Sequence, residues 1–407
     1  MTPGTARWRH LGVSLLGLVA ACAVQNGLPF LTVALRAEGL SLSAIGLLVS
    51  APTAGLVLSL LAWGALADRY GERRVLGAGL GIAAAALAGA AVAATPLATG
   101  LWLLLAGAGS ASVHAASGRL VLGWFPATQR GLAMGIRQAG QPIGVGVAAF
   151  ALPRLADGGT GTAFAALAAG CAATAVLIGV LVRDPARPRT PAGAPPVPSP
   201  YRTPVLWRVH AASTLLVVPQ FVVAALGFDF LVRAAGWSAG AAGALLAVTA
   251  LGGAAARLGA GVWSDRAGSR VGPLRLAAAA VAVVVAGLAV VAALTPDVLA
   301  PAAVAAAVVV ATVATVSPNG IAFTSVAEQA GSAWAGRALG AHNTVQNVGA
   351  TLTVPLAALL VEDGPGYPAA FAAAAVAAAL AVGVVPGRAV EAGSPGAPQA
   401  VGAAAAR

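Results

Sequence analysis

"GALADRYGERR", residues 64–74, returns as "GVWSDRAGSR" at residues 261–270. Gly64, Asp68, Arg69, Gly71 and Arg73 of the first copy recur as Gly261, Asp265, Arg266, Gly268 and Arg270, all at one offset (265 − 68 = 197). Long apolar runs flank both copies. A small charged loop repeated half a chain apart between such runs points to a duplicated membrane unit.

The composition agrees with that reading. Of 407 residues, 59% are apolar and only 9% charged, against about 25% charged in soluble chains. All 23 basic residues are arginine, a compositional bias that carries no functional weight. The net charge of +11 would fit a nucleic-acid binder, but the arginines sit in short loops beside apolar spans, which is the positive-inside pattern, and no nucleic-acid partner is expected. Cys22 and Cys171 each lie inside an apolar span without ligand-like spacing, so neither a disulfide, a metal nor another cofactor is expected. "LVAAC" at 18–22 resembles a lipoprotein cleavage signal, yet the apolar run continues through Phe30 to Leu35, as a spanning helix does.

A helix needs about 20 apolar residues to cross the hydrocarbon core. Such runs lie near 11–34, 42–66, 75–95, 100–124, 131–153 and 160–182, then near 206–231, 239–263, 274–294, 298–325, 336–360 and 367–386. The expected fold is therefore all-α, with twelve spans in two pseudo-symmetric six-helix bundles, residues 1–182 and 205–386. Between them "RDPARPRTPAGAPPVPSPYRTP", 183–204, is too proline-rich for helix and reads as an extended cytosolic linker. Residues 387–407 read as a disordered cytosolic tail. With the N-terminus inside, seventeen arginines fall on the cytosolic side, only Arg36, Arg154 and Arg233 on the other, and Arg119, Arg137 and Arg257 within spans. Both termini are thus expected in the cytosol of a bacterium, the chain crossing its cytoplasmic (inner) membrane many times.

The repeat extends beyond the loops. "RAEGLS" at 36–41 matches "RAAGWS" at 233–238, again 197 apart, and "RGLAMGIRQAGQPIG" at 130–144 matches "AGRALGAHNTVQNVG" at 335–349, now 205 apart. This second register sets Arg137 against His342, Gln138 against Asn343, Gln141 against Gln346 and His114 against Asn319. Parallel six-helix repeats of this kind enclose a binding site between the halves.

The loop "GALADRYGERR" resembles the loop 2–3 signature of the major facilitator superfamily, Gly-x-x-x-Asp-Arg-x-Gly-x-Arg, and its copy occupies the loop 8–9 position. The resemblance covers nearly the whole chain and implies alternating access, the two halves rocking about a central site. It also places Asp68 near the start of span 11, where the helix dipole favours a carboxylate. Arg69, Arg73 and Arg74 are expected to pair across the loop, and Gly64 and Gly71 to permit close contact and a tight turn. The two loops would latch a cytosolic gate. The sequence departs from the proton-coupled drug exporters of the superfamily: Leu103 stands where they carry a span 4 arginine, and "QPIGVG" where they carry Gly-Pro-x-x-Gly-Gly in span 5.

Polar groups in hydrocarbon are costly and mark function. Span 4 carries Ser110, His114 and Ser117 on one face, with His114 the candidate for proton coupling. Span 5 carries Arg137 and Gln141, span 11 carries His342, Asn343, Gln346 and Asn347, span 10 carries Asn319, span 1 offers Gln25 and Asn26, and span 7 offers Gln220. Arg257 is a further cavity candidate, though it and Arg119 lie close enough to the cytosol to snorkel. Glu328 is assigned to the cytosolic loop after span 10. A positively lined cavity with few internal acids favours an anionic substrate. The reading is a secondary transporter for a small anionic organic solute, with protons as the possible coupling ion, acting as a monomer in the lipid bilayer. Drug or metabolite efflux by proton antiport is the alternative, and a non-transporting membrane sensor is the rival outside that class. No Ser/His/Asp or metal-type constellation points to an enzyme.

Overall fold

The computed structural model describes residues 3–40, 42–185, 198–294, 299–362 and 365–387. The proline-rich linker lies mostly, and the tail almost wholly, outside the described residues. Those described form α-helices with short 3-10 and π turns and no strand. In order the helices are α1 (Pro3–Asn26), α2 (Thr32–Ala37), α3 (Leu42–Tyr70), α4 (Glu72–Ala91), α5 (Pro96–Trp124), α6 (Arg130–Leu155) and α7 (Thr160–Leu181). There follow α8 (Pro204–Asp229), α9 (Ala239–Arg266), α10 (Val271–Ala293), α11 (Pro301–Val316), α12 (Pro318–Glu362) and α13 (Tyr367–Val384).

Among the described residues ten helical runs are long and apolar enough to cross a membrane. Span 5, α6, falls outside that set because Arg130, Arg137, Gln138 and Gln141 dilute its apolar residues. Spans 10 and 11 count as one run, Pro301–Val361. Adding α6 and dividing that run at its break recovers the twelve-span plan.

Two boundaries differ from expectation. Span 1 is broken: after α1 the chain makes a 3-10 turn, Leu28–Leu31, before α2, because Pro29 has no N–H to continue the ladder. Between spans 10 and 11 no loop opens. Helix α12 is two helices that meet at a kink, where Gly331 alone leaves helical geometry (φ 68, ψ 170), a conformation open to glycine at little cost. Glu328 therefore belongs to a helix, with 6% of its surface exposed, rather than to a cytosolic loop.

The chain divides into two compact units. The first comprises Met1–Phe125, Ile136–Pro195 and Ser332–Thr344, the second Pro126–Gly135, Pro196–Gly331 and Val345–Arg407. The first is cored by Leu18, Leu76, Leu80, Val113, Phe164 and Ile178, the second by Val223, Leu274, Val281, Phe371 and Ala378. Small residues let backbones meet: a Cβ on Gly55 would lie 1.9 Å from the Leu104 carbonyl oxygen, and one on Gly107 would lie 2.0 Å from that of Pro52. Such close approach supplies the dispersion contact that holds helices together where water does not.

Candidate functional site

The repeated loops make the same bonds in their own units. At the end of α3, Asp68 Oδ1 accepts from the Gly336 N–H at 3.0 Å and Oδ2 from that of Arg337 at 3.1 Å, one turn into the helix after Gly331. At the end of α9, Asp265 Oδ1 accepts from the Gly131 N–H at 2.8 Å and Oδ2 from that of Leu132 at 2.9 Å, at the start of α6. Gly336 and Arg337 stand 205 residues beyond Gly131 and Leu132, the register of the second repeat. The glycines obey it too. A Cβ on Gly64 would sit 2.5 Å from the Gly336 carbonyl oxygen, and one on Gly261 would sit 2.2 Å from that of Gly131. One turn on, a Cβ on Gly340 would meet Leu60 O at 2.8 Å, and one on Gly135 would meet Arg257 O at 2.8 Å. Gly71 and Gly268 turn each loop with φ of 97 and 60.

The charges behind the two carboxylates are arranged differently. In the first unit Asp68 pairs with Arg119 of α5, which also reaches Glu72 Oε1 at 2.7 Å. Arg119, 6% exposed, is thus paired rather than snorkelling. Arg69, Arg73 and Arg74 do not supply the pairing expected across the loop: Arg69 lies over the Tyr70 ring at 5.2 Å, and Arg73 donates to the Gly179 carbonyl. Arg337 stands 3.5 Å from Asp68 instead. In the second unit the buried base comes from the loop. Arg270 donates to Asp265 Oδ1 at 2.8 Å, to Glu328 Oε2 at 3.0 Å and Oε1 at 3.2 Å, and to Ser264 Oγ at 2.8 Å. Burial opposes the Arg270 charge, but Glu328 and Asp265 outweigh it and hold the guanidinium above its ordinary pKa. Stability from this network is therefore complete below the ordinary guanidinium pKa and is lost only as pH rises past the raised one.

The mid-span polar residues form a network around Arg137 in the first unit and separate pairs in the second. In the first, Arg137 is 1% exposed. It donates from Nε to Ser117 Oγ at 2.7 Å, from Nη1 to Gln138 Oε1 at 2.7 Å and from Nη2 to the His114 carbonyl at 3.2 Å. That carbonyl also accepts from Asn343 Nδ2 at 3.2 Å, so α5, α6 and α12 meet at one oxygen. The His114 imidazole is buried with Nε2 lacking a hydrogen-bond partner among the described residues. Gln25 Nε2 donates to Ser110 Oγ at 3.1 Å, while Asn26 is exposed and bonds back to the Cys22 carbonyl. Gln141 is half-buried, and His342 and Asn343 are buried. In the second unit, Asn319 Nδ2 donates to Gln220 Oε1 at 3.0 Å and Gln346 Nε2 to Ser213 Oγ at 2.6 Å. Arg257 Nε reaches the Val316 carbonyl, exposed by the end of α11, at 3.4 Å. Asn347 is half-buried. Ser213, Gln138 as a ligand of Arg137, Glu72 and the Arg270–Glu328 pair were not singled out from sequence. Only Glu72 left a local signal, as a second acid four residues after Asp68.

A comparison with protein families matches residues 13–353 to the Major Facilitator Superfamily. The chain belongs to the major facilitator superfamily. It is 41% identical over 387 residues to an uncharacterized MFS-type transporter of Mycobacterium tuberculosis H37Rv, covering 94% of this chain and 85% of that one. Among solved structures it is similar to the Escherichia coli fucose:proton symporter (TM-score 0.71, 16% identity, 91% of this chain and 97% of that one). It is also similar to the human organic anion transporter MFSD10 (TM-score 0.72, 16% identity, 93% and 99%). At such identities these two likenesses establish the fold. The protein is a multi-pass membrane transporter of this superfamily.

For a major facilitator, the two aspartate caps are the contacts whose loss should bear on the transport cycle. Asp68→Asn exchanges one acceptor oxygen for an NH2 group that faces a backbone N–H in either orientation, so one cap bond, worth about 1 kcal/mol, is lost. The variant should insert and fold, expose a cysteine placed beside Gly336 to a thiol reagent, and transport poorly. Wild-type labelling together with wild-type transport would show that the loop serves topology alone.

Proposed function

We propose that the protein is a secondary transporter moving a small organic anion across a bacterial cytoplasmic membrane by alternating access, with the arginine-rich loops on the cytosolic side. The observation that carries this reading is the Arg137 guanidinium, buried at mid-span and set among hydroxyl, amide and carbonyl oxygens. Its polar neighbours in the cluster, Gln25, Ser110, Ser117, Gln138 and Asn343, carry no charge, so the cluster is positive. A planar fork offers a carboxylate two parallel bonds. In this reading Gln141 and His342, of the same unit as Arg137, also lie near the substrate. A ligand bonded by groups of both repeats differs in affinity between the two states of the cycle, which is what a switch requires. Exchange of a labelled small carboxylate, compared with its uncharged amide, tests the proposal.

His114 is the group we assign to proton coupling, because its buried Nε2 has no hydrogen-bond partner among the described residues. Glutamine there keeps a polar side chain but cannot take up a proton, so uptake should lose its pH dependence between about pH 5.5 and 7.5 while exchange continues. A variant with the wild-type pH profile would make His114 a packing residue that acts through its carbonyl.

A further inference from the structure

At the loop 2–3 end of the first unit, Tyr70, Arg73, Arg74, Gly77, Gly179 and Arg183, with Asp184, line a cavity of about 770 Å³. It opens between the start of α4 and the end of α7. Three guanidinium groups share it with one carboxylate, and that carboxylate is already engaged, since Asp184 Oδ1 accepts from the Arg73 backbone N–H at 2.7 Å. Arg73 itself is tied to the Gly179 carbonyl. Arg74 and Arg183 are exposed and make no ion pair with a described residue.

Below the arginines the two helices turn small and apolar. Arg74, Ala78, Gly81, Ile82 and Ala85 follow one exposed face of α4, and Ala172, Val176, Val180 and Arg183 follow one exposed face at the end of α7. Val176 is 65% and Val180 74% exposed. An added Cβ on Gly179 or Gly81 would meet nothing within 4 Å, and one on Gly77 would meet only the Ala175 carbonyl, at 4.0 Å. A cationic head pocket thus continues into an open apolar track. The matching end of the second unit is spent differently: Arg208 and Arg275 donate to carbonyls at the end of α13 and just beyond it, at Gly383, Val384, Val385 and Pro386.

We propose that this cleft binds an anionic phospholipid of the adjoining leaflet, its phosphate held by Arg74 and Arg183 and an acyl chain lying between α4 and α7. Charge selects the headgroup, as in other basic pockets between spanning helices. The apolar track selects a lipid over a free phosphate. Tyr70, 46% exposed at the rim, suits the interfacial depth at which tyrosine is enriched.

The test uses the purified full chain in detergent, titrated with dioleoylphosphatidylglycerol, dioleoylphosphatidylcholine or soluble glycerol phosphate, with Tm and bound lipid by native mass spectrometry as readouts. Phosphatidylglycerol should raise Tm and be retained in preference to phosphatidylcholine, and glycerol phosphate should do neither. Arg74→Gln with Arg183→Gln should weaken phosphatidylglycerol binding about thirtyfold, from two lost interfacial charges. Arg36→Gln, in α2 at the opposite end, should leave it unchanged. Equal retention of the two lipids by the unaltered protein would overturn the proposal, as would full phosphatidylglycerol preference in the double variant. A shift reproduced by glycerol phosphate would overturn the lipid assignment in favour of a soluble phosphate ligand.

Discussion

Arg137→Gln is expected to lower kcat/KM for the transported anion by about a hundredfold or more, with Tm close to that of the unaltered protein. The guanidinium is 1% exposed and reaches oxygens of α5 and α6 within 2.7–3.2 Å, so it is already held in one orientation before an anion arrives. Hydrogen bonds to a charged group are each worth about 1.5–3 kcal/mol, and a bidentate carboxylate would lose two of them. Glutamine can still reach a neighbouring hydroxyl, which is why the fold should persist. Arg137→Lys keeps the charge without the fork and should fall between the two. A glutamine variant with near-normal KM and a depressed Tm would make Arg137 a tie between helices.

Glu328→Ala should be the most destabilising single change at the loop end of the second unit, by about 3–5 kcal/mol, the usual cost of breaking a buried pair from one side. Both Glu328 oxygens engage Arg270, and Oε1 lies 3.5 Å from Arg130 Nη1. Without them Arg270, 4% exposed, keeps one carboxylate, Asp265, whose oxygens also cap α6, beside the neutral Ser264 hydroxyl and Ala127 carbonyl. Glu328→Gln keeps the shape and should lose less. Thermal unfolding of the purified variants checks the order. A change within about 1 kcal/mol for the alanine variant would mean that Asp265 and Ser264 suffice to hold Arg270.

The cap at Asp68 was legible through the family resemblance, and its counterpart at Asp265 follows from the repeat. Offsets of 197 and 205 carry Asp68 to Asp265, Gly131 to Gly336 and Gly135 to Gly340, and a bond that recurs under a repeat does not require tertiary information to be suspected. The apolar runs gave the spans for the reason that hydrocarbon admits little else. The joint between spans 10 and 11 was hidden because "EQAGSAW" has the polarity and glycine of a loop, whereas only Gly331 leaves the helix. The partner of Arg119 was missed because Glu72 stands among arginines, and nothing local says which of them it faces. His114 stood out for its ring, yet Arg137 and Asn343 both donate to its carbonyl, an atom every residue has.

Counterflow in proteoliposomes preloaded with an unlabelled small carboxylate tests the transport claim most directly. The account predicts transient accumulation of the labelled carboxylate through the unaltered protein, little accumulation of its uncharged amide, and neither through Arg137→Gln. Amide exchange as fast as acid exchange, or carboxylate exchange no faster than in protein-free vesicles across a panel of small organic acids, would contradict it.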